Sequence, residues 1–185
     1  MAPPPNGTVA YIDLEGNIHN VLEVGLLIVR HGQPFAAFLY YGKITDFVDY
    51  KQACRCCHAL KYDILTNHGL TQRQLADRVK FHLEYYKVEQ VYANGVDVKE
   101  WLTNWLISTP FTNIPLLRWA QRIFEDSHRK AIELRDDPTK TLCGIRCCAH
   151  KGTIRNNRPI VQANGPHCAL VDCYEVFLYH TILDE

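Results

Sequence analysis

The ten residues Val21-Leu22-Glu23-Val24-Gly25-Leu26-Leu27-Ile28-Val29-Arg30 constrain the fold more than any other stretch. The run reads as a strand, continuous and apolar enough to lie in the middle of a sheet. Just before it, Val9–Glu15 alternates. A period of two puts Tyr11, Asp13 and Glu15 on one face, and Ala10, Ile12 and Leu14 on the other. Just after it, His31-Gly32-Gln33 is a turn and Pro34–Tyr41 a third strand that pairs back antiparallel. Asp13 and Glu15 side by side on one strand face repel each other, an arrangement that usually has a cation between the carboxylates.

Further along, Thr71–Tyr86 is expected to be a helix, with Thr71 as N-cap and an apolar stripe of Leu75, Val79, Leu83 and Tyr86. Gln90–Ala93 is a short strand leading into Asn94-Gly95-Val96-Asp97. A helix carrying Trp101, Leu102, Trp105 and Leu106 follows, then an amphipathic helix from Leu116 to about Glu133. Residues 143–168 show little periodicity, and a last helix runs from about Cys168 to Leu183. Antiparallel strands followed by strand–helix alternation predict an α/β sheet covered by helices. With 185 residues, one domain over 1–185 is expected, with a flexible segment over 1–8.

Net charge is zero, with 20 basic and 20 acidic residues, so no global field announces a polyanionic partner. Nucleic-acid binding would have to rest on local patches or on metal ions. No apolar run is long enough to span a bilayer, and the N-terminus lacks the regions of a signal peptide. A reducing, intracellular setting is expected, with no membrane partner. Eight cysteines, several of them close to histidines, then point to metal before disulfides.

Four acids and one histidine stand out. Asp13 and Glu15 lie in YIDLEG, Asp97 closes YANGVD, and HCALVD supplies His167 and Asp172. Each can be directed toward one end of a central sheet. Such a set suits phosphodiester hydrolysis by two metals, in which several carboxylates hold Mg²⁺ or Mn²⁺ and a histidine takes the proton of the attacking water. A D-x-E pair, an Asp after Asn-Gly, or an H-x(4)-D spacing carries little weight alone. Their order gives them force.

The order resembles that of the DEDDh exonucleases, a branch of the ribonuclease H-like superfamily. After the D-x-E strand comes Glu23-Val24-Gly25, matching an E-[IV]-G strand; then His68-Gly69-Leu70-Thr71, matching His-Gly-[IL]-Thr; then Asn94–Asp97 and HCALVD. The likeness runs over roughly residues 9 to 180. It implies a ribonuclease H-like mixed sheet, antiparallel in its first strands and then parallel, flanked by helices. It further implies a metal-dependent 3′–5′ exonuclease: Asp13, Glu15, Asp97 and Asp172 would bind two Mg²⁺ or Mn²⁺, and His167 would be the general base.

Cys147-Cys148-Ala149-His150 gives a C-x-x-H pair, and Cys168 follows eighteen residues after His150. Thiolate and imidazole at this spacing suit tetrahedral zinc, whose fourth ligand would come from Cys143, Cys148, Cys173 or a carboxylate such as Glu23. A set of buried thiols is the alternative. The segment from Cys147 to Cys173 is similar to the exonuclease domain of arenavirus nucleoproteins, which likewise begins with a Y-x-D-x-E-G strand. That resemblance implies a structural zinc held by Glu23, Cys147, His150 and Cys168. The Maelstrom domain shares the Glu-Cys-His-Cys set, but its animal members have mostly lost the catalytic acids, which this chain keeps. Because His167 precedes Cys168, fixing the thiolate would also fix the base. A second metal at Cys54, Cys56, Cys57 and His58 is disfavoured by spacing too tight for a tetrahedron.

The loop Lys151–Arg158 carries Lys151, Arg155 and Arg158 without an acid, and is a candidate phosphate contact. The arenavirus resemblance implies RNA, including double-stranded RNA read by shape and 2′-hydroxyls, and a cytoplasmic location, that of the host for a viral chain. Two rivals are a zinc-stabilised RNA-binding module with little turnover and a DNA-directed 3′–5′ exonuclease.

Overall fold

The computed structural model describes residues 7–44, 62–115, 154–155, 158–159 and 169–182, without the side chains of 62–64, 154–155, 158–159 and 182. The expected irregular stretch with Cys54, Cys56, Cys57 and His58 lies outside them, as does the helix expected over 116–133.

Three antiparallel strands open the chain: β1 (Thr8–Asn17), β2 (Asn20–Arg30) and β3 (Gln33–Tyr41). The β2–β3 turn is tighter than expected, since Gln33 already pairs with Arg30. Its two central residues, His31 and Gly32, have φ of 51° and 71°, the left-handed pair that suits the twist of a two-residue hairpin. The segment expected to be flexible through residue 8 gives way to β1 at Thr8, whose carbonyl accepts from Glu89 N.

Two helices follow, α1 (Tyr62–His68) and α2 (Gln72–Tyr85), then β4 (Gln90–Ala93), α3 (Asp97–Asn104) and β5 (Phe111–Asn113). A two-stranded ribbon, β6 (Ile154–Arg155) and β7 (Arg158–Pro159), precedes the last helix, α4 (Ala169–Ile182). The sheet order is β3-β2-β1-β4-β5, with β4 parallel to β1 and β5 parallel to β4. Antiparallel first and parallel after, flanked by helices: the expected mixed sheet is the one observed.

Both faces of the sheet are buried. Val9, Tyr11, Leu27 and Val29 point to α4, while Ala10, Ile12, Leu26 and Ile28 point to Leu75 and Val79 of α2 and Trp101 of α3. Burial on two faces explains the unbroken apolar run in β2. Each fully buried aliphatic side chain contributes about 1.5–3 kcal/mol.

Thr71 caps α2 as expected, in a reciprocal capping box with Gln74. Gln72 adds a latch, accepting from Val21 N at 3.0 Å and donating to Val21 O at 2.8 Å. The His-Gly-Leu-Thr segment has a structural role. A Cβ on Gly69 would collide with the backbone of Gly42 and Lys43. Leu70 bridges to Gly42, and Lys43 N donates to Leu70 O at 2.6 Å. The helix of Trp101 and Leu102 ends at Asn104, sooner than its apolar residues suggested. Leu106 takes φ of 55° and is 84% exposed.

Candidate active site

Strand parity decides which side chains meet. Asp13 and Glu15 continue the Val9–Tyr11 face of β1 and so point toward α4, where Asp172 sits in the first turn. One carboxylate oxygen from each of Asp13, Glu15 and Asp172 lies within 4.8 Å of the others, and all three residues are half-buried. Octahedral oxygens about 2.1 Å from an ion are roughly 3–4.2 Å apart. Hard oxygen donors at this separation fit Mg²⁺ or Mn²⁺. Two like charges 4 Å apart cost about 1 kcal/mol in water and about 4 kcal/mol near a protein surface. A divalent cation reverses that sign, and the N-terminus of α4 also favours negative charge at Asp172.

Two residues of β2 seat α4 against the sheet. Gly25 lies opposite Asp13, and any Cβ there would strike the backbone of Ala169 and Leu170. Glu23, fully buried, accepts from Ala169 N at 3.2 Å through Oε1. Alternation from Gly25 aims it there, and a bulge follows. β2 carries one extra residue where Glu15–Gly16 faces Glu23–Val21, so Leu22 and Glu23 both turn toward α4. Gly16 tolerates the bend at φ of 106°.

A buried aromatic group supports the same junction. Tyr11 Oη lies 2.8 Å from His180 Nδ1, and the Tyr11 ring stacks on Tyr92 at 5.3 Å. The His180 ring is 4.7 Å from Tyr92. These contacts tie β1 and β4 to α4 behind the carboxylates. Neither His180 nor Gly25 was singled out from the sequence for this role. A glycine inside an apolar strand was the available signal for the second.

Asp97 is not drawn into the carboxylate group. It begins α3 just past the C-terminal end of β4, is exposed, and folds its carboxylate back over Gly95. Gly95 N donates to Asn113 Oδ1 at 2.8 Å, anchoring that turn to β5. His167, Cys147, His150, Cys168 and Lys151 lie outside the described residues. Arg155 and Arg158 are paired directly across the β6–β7 ribbon by register, an order missed in a segment expected to lack periodicity. Cys173, a candidate zinc ligand, is buried in the core that α4 shares with the sheet.

The mixed five-stranded sheet with carboxylates between β1 and α4 has the fold of solved exonuclease domains. Its likeness to the manganese-bound Mopeia virus exonuclease domain has a TM-score of 0.60 at 20% identity, over 97% of this chain and 79% of that one. A 3′-exonuclease solved with histone mRNA stem-loop gives a TM-score of 0.54 at 10% identity, over 98% and 83% of the two chains. In sequence, the chain is similar to the nucleoprotein of Alethinophid 1 reptarenavirus, 22% identical over 168 residues that make up 90% of this chain. It spans about a quarter, 26%, of that nucleoprotein. No family model matches the chain. Among the described residues, no helix is long and apolar enough to cross a membrane.

Proposed function

We propose that the chain is a metal-dependent 3′–5′ exoribonuclease acting as one domain over 1–185. The observation that carries this reading is the convergence of Asp13, Glu15 and Asp172 within 4.8 Å on the fold of known exonucleases. Asp13, Glu15 and Asp172 would hold two Mg²⁺ or Mn²⁺. Asp97, at the neighbouring strand end, would join them by swinging away from Gly95. When bound, the ions would lower the pKa of the attacking water and neutralise charge on the leaving oxygen. His167, two residues before the start of α4, would take the water's proton, as the DEDDh resemblance implies.

The structural zinc of Glu23, Cys147, His150 and Cys168 belongs to the same proposal. The bond from Ala169 N brings the Glu23 carboxylate beside the residue that follows Cys168. RNA is the proposed substrate because the similar proteins include a viral nucleoprotein and a 3′-exonuclease solved with an mRNA stem-loop. Lys151, Arg155 and Arg158 would bind its phosphates. Duplex RNA and the host cytoplasm are the finer parts of the proposal.

The test uses 5′-labelled RNA, single- and double-stranded, with Mn²⁺, beside DNA of matched sequence. Shortening from the 3′ end that Asp13→Ala abolishes supports the reading. Shortening that survives Asp13→Ala refutes it, and preference for DNA moves the substrate. The exposed, outlying Asp97 favours one second reading, an RNA-binding module without turnover. Tight binding of RNA with no shortening at any Mn²⁺ concentration selects it.

A further inference from the structure

The face of the sheet away from the carboxylates carries an aromatic surface that the proposed chemistry does not use. Phe38 and Tyr40 of β3 lie against His82 of α2, with Phe38 and His82 stacked at 3.8 Å and Tyr40 Oη 2.6 Å from His82 Nε2. These inner rings close the edge of the core. Outside them stand Phe81 and Tyr85, 54% and 67% exposed, with rings 21° from parallel and 5.7 Å apart.

A bulge extends this surface. β3 carries Phe35 as the extra residue where Ile28 pairs with Ala36 and Val29 with Pro34. Strict alternation would turn Phe35 toward α4. The bulge turns it instead to the α2 side, where it meets Tyr86 edge-on at 6.0 Å and remains 47% exposed.

Cations stand within the array. The Arg30 guanidinium lies 4.2 Å over the Phe35 ring. Arg78 shares the helix flank of Phe81 and Tyr85, at about 100° per residue, and its charge reaches His82. The acids nearest by helix position, Asp77 and Glu84, lie to the other side of Phe81, four residues before it and three after. Flat apolar faces with interleaved guanidinium groups match a ligand that alternates π-faces with negative charge. A protein partner would be met by an apolar centre with charges kept to the rim.

We propose that Phe35, Phe81 and Tyr85, with Arg30 and Arg78, form a second binding site for single-stranded nucleic acid, separate from the carboxylates. Bases stack on the exposed rings and phosphates meet the guanidinium groups. Register sets where the strand leads. Tyr40, beneath the platform, pairs with Val24 and Val24 with Leu14, so this part of β3 is level with the Asp13–Glu15 pair across the sheet, and β3 runs from there roughly 16 Å to Phe35. A strand held there is kept on the molecule between encounters, on the sheet face opposite the reaction centre. The site rests on the exoribonuclease reading only for its ligand class.

The experiment measures binding of a single-stranded oligonucleotide containing 2-aminopurine to the full chain in EDTA, where no hydrolysis occurs. Phe81→Ala with Tyr85→Ala should weaken binding by roughly 5- to 150-fold per stacked base and abolish the stacking quench of 2-aminopurine. Arg78→Ala should lower the slope of log Kd against log salt by about one, while the aromatic pair leaves that slope unchanged. Unchanged affinity and quench in the aromatic variant overturn the site. So does a changed oligomeric state at unchanged oligonucleotide affinity, which assigns the rings to a protein contact. Hydrolysis in Asp13→Asn is scored separately. Its persistence defeats the enzyme reading without touching the platform, and unaltered binding in the aromatic variant defeats the platform without touching the enzyme.

Discussion

Glu23 shows how one side chain serves two proposals that a single substitution separates. Its Oε1 accepts from Ala169 N, and a hydrogen bond to a charged group contributes about 1.5–3 kcal/mol. Glu23→Gln keeps an acceptor oxygen for that N–H but gives up the anionic donor a zinc site needs. The expected outcome is a loss of bound zinc by elemental analysis with a smaller change in Tm than Glu23→Ala produces. Full zinc content in Glu23→Gln would leave Glu23 as a helix cap alone. Asp172→Asn tests the other metal. A ligand at 100 times its Kd stabilises a folded chain by about 2.7 kcal/mol. Mn²⁺ should therefore raise the Tm of wild type, and that rise should vanish in Asp172→Asn, because the remaining oxygens of Asp13 and Glu15 no longer close around an ion. An equal rise in both proteins would remove Asp172 from the site.

Helix α4 sits where it does because β2 offers Gly25 beneath Ala169. Gly25→Ala forces backbone apart, and overpacking of that kind costs about 1–3 kcal/mol or more. Denaturant unfolding should show this loss, and Mn²⁺ affinity should fall with it, since α4 carries Asp172 while Asp13 stays on β1. Stability lost with unchanged Mn²⁺ affinity would uncouple the seat of α4 from the site. Much at this scale was legible in the sequence. Alternation placed Asp13 and Glu15 on one strand face, and Thr71 marked a helix start, because both signals are local. The α4 junction was not, since Glu23 and Ala169 are 146 residues apart and only the folded chain brings them together. The helix of Trp101 was overextended because apolar spacing does not reveal that Leu106 turns left-handed and leaves the core. Asp97 was expected among the carboxylates from its place after a short strand and from motif order, and neither fixes the direction in which its side chain leaves α3.

A three-layer molecule of this kind closes its second core through the β3–α2 contact, and that contact has a pH dependence with a definite sign. His82 is 8% exposed, stacked on Phe38 and bonded to Tyr40 Oη. Burial holds its pKa below the ordinary 6.5, and the Arg78 charge lowers it further. The folded chain therefore binds fewer protons at His82 than the unfolded chain does wherever pH lies between the lowered value and 6.5. Stability must then rise with pH across that window. It is fully present above 6.5 and is lost as acidification carries the pH down through the folded value. Other groups titrate over part of the same range, so the informative quantity is a difference. Thermal unfolding of wild type and His82→Gln, measured from pH 7.5 to about pH 4.5, should give curves whose gap narrows on acidification, because only wild type takes up a proton at residue 82 on unfolding in that range. A gap that stays constant, or widens toward acid, would mean that His82 is not held neutral by the fold. The same titration bears on the aromatic surface, because the His82 ring underlies Phe81 at 5.3 Å and charging it would disturb the face on which a base is to stack.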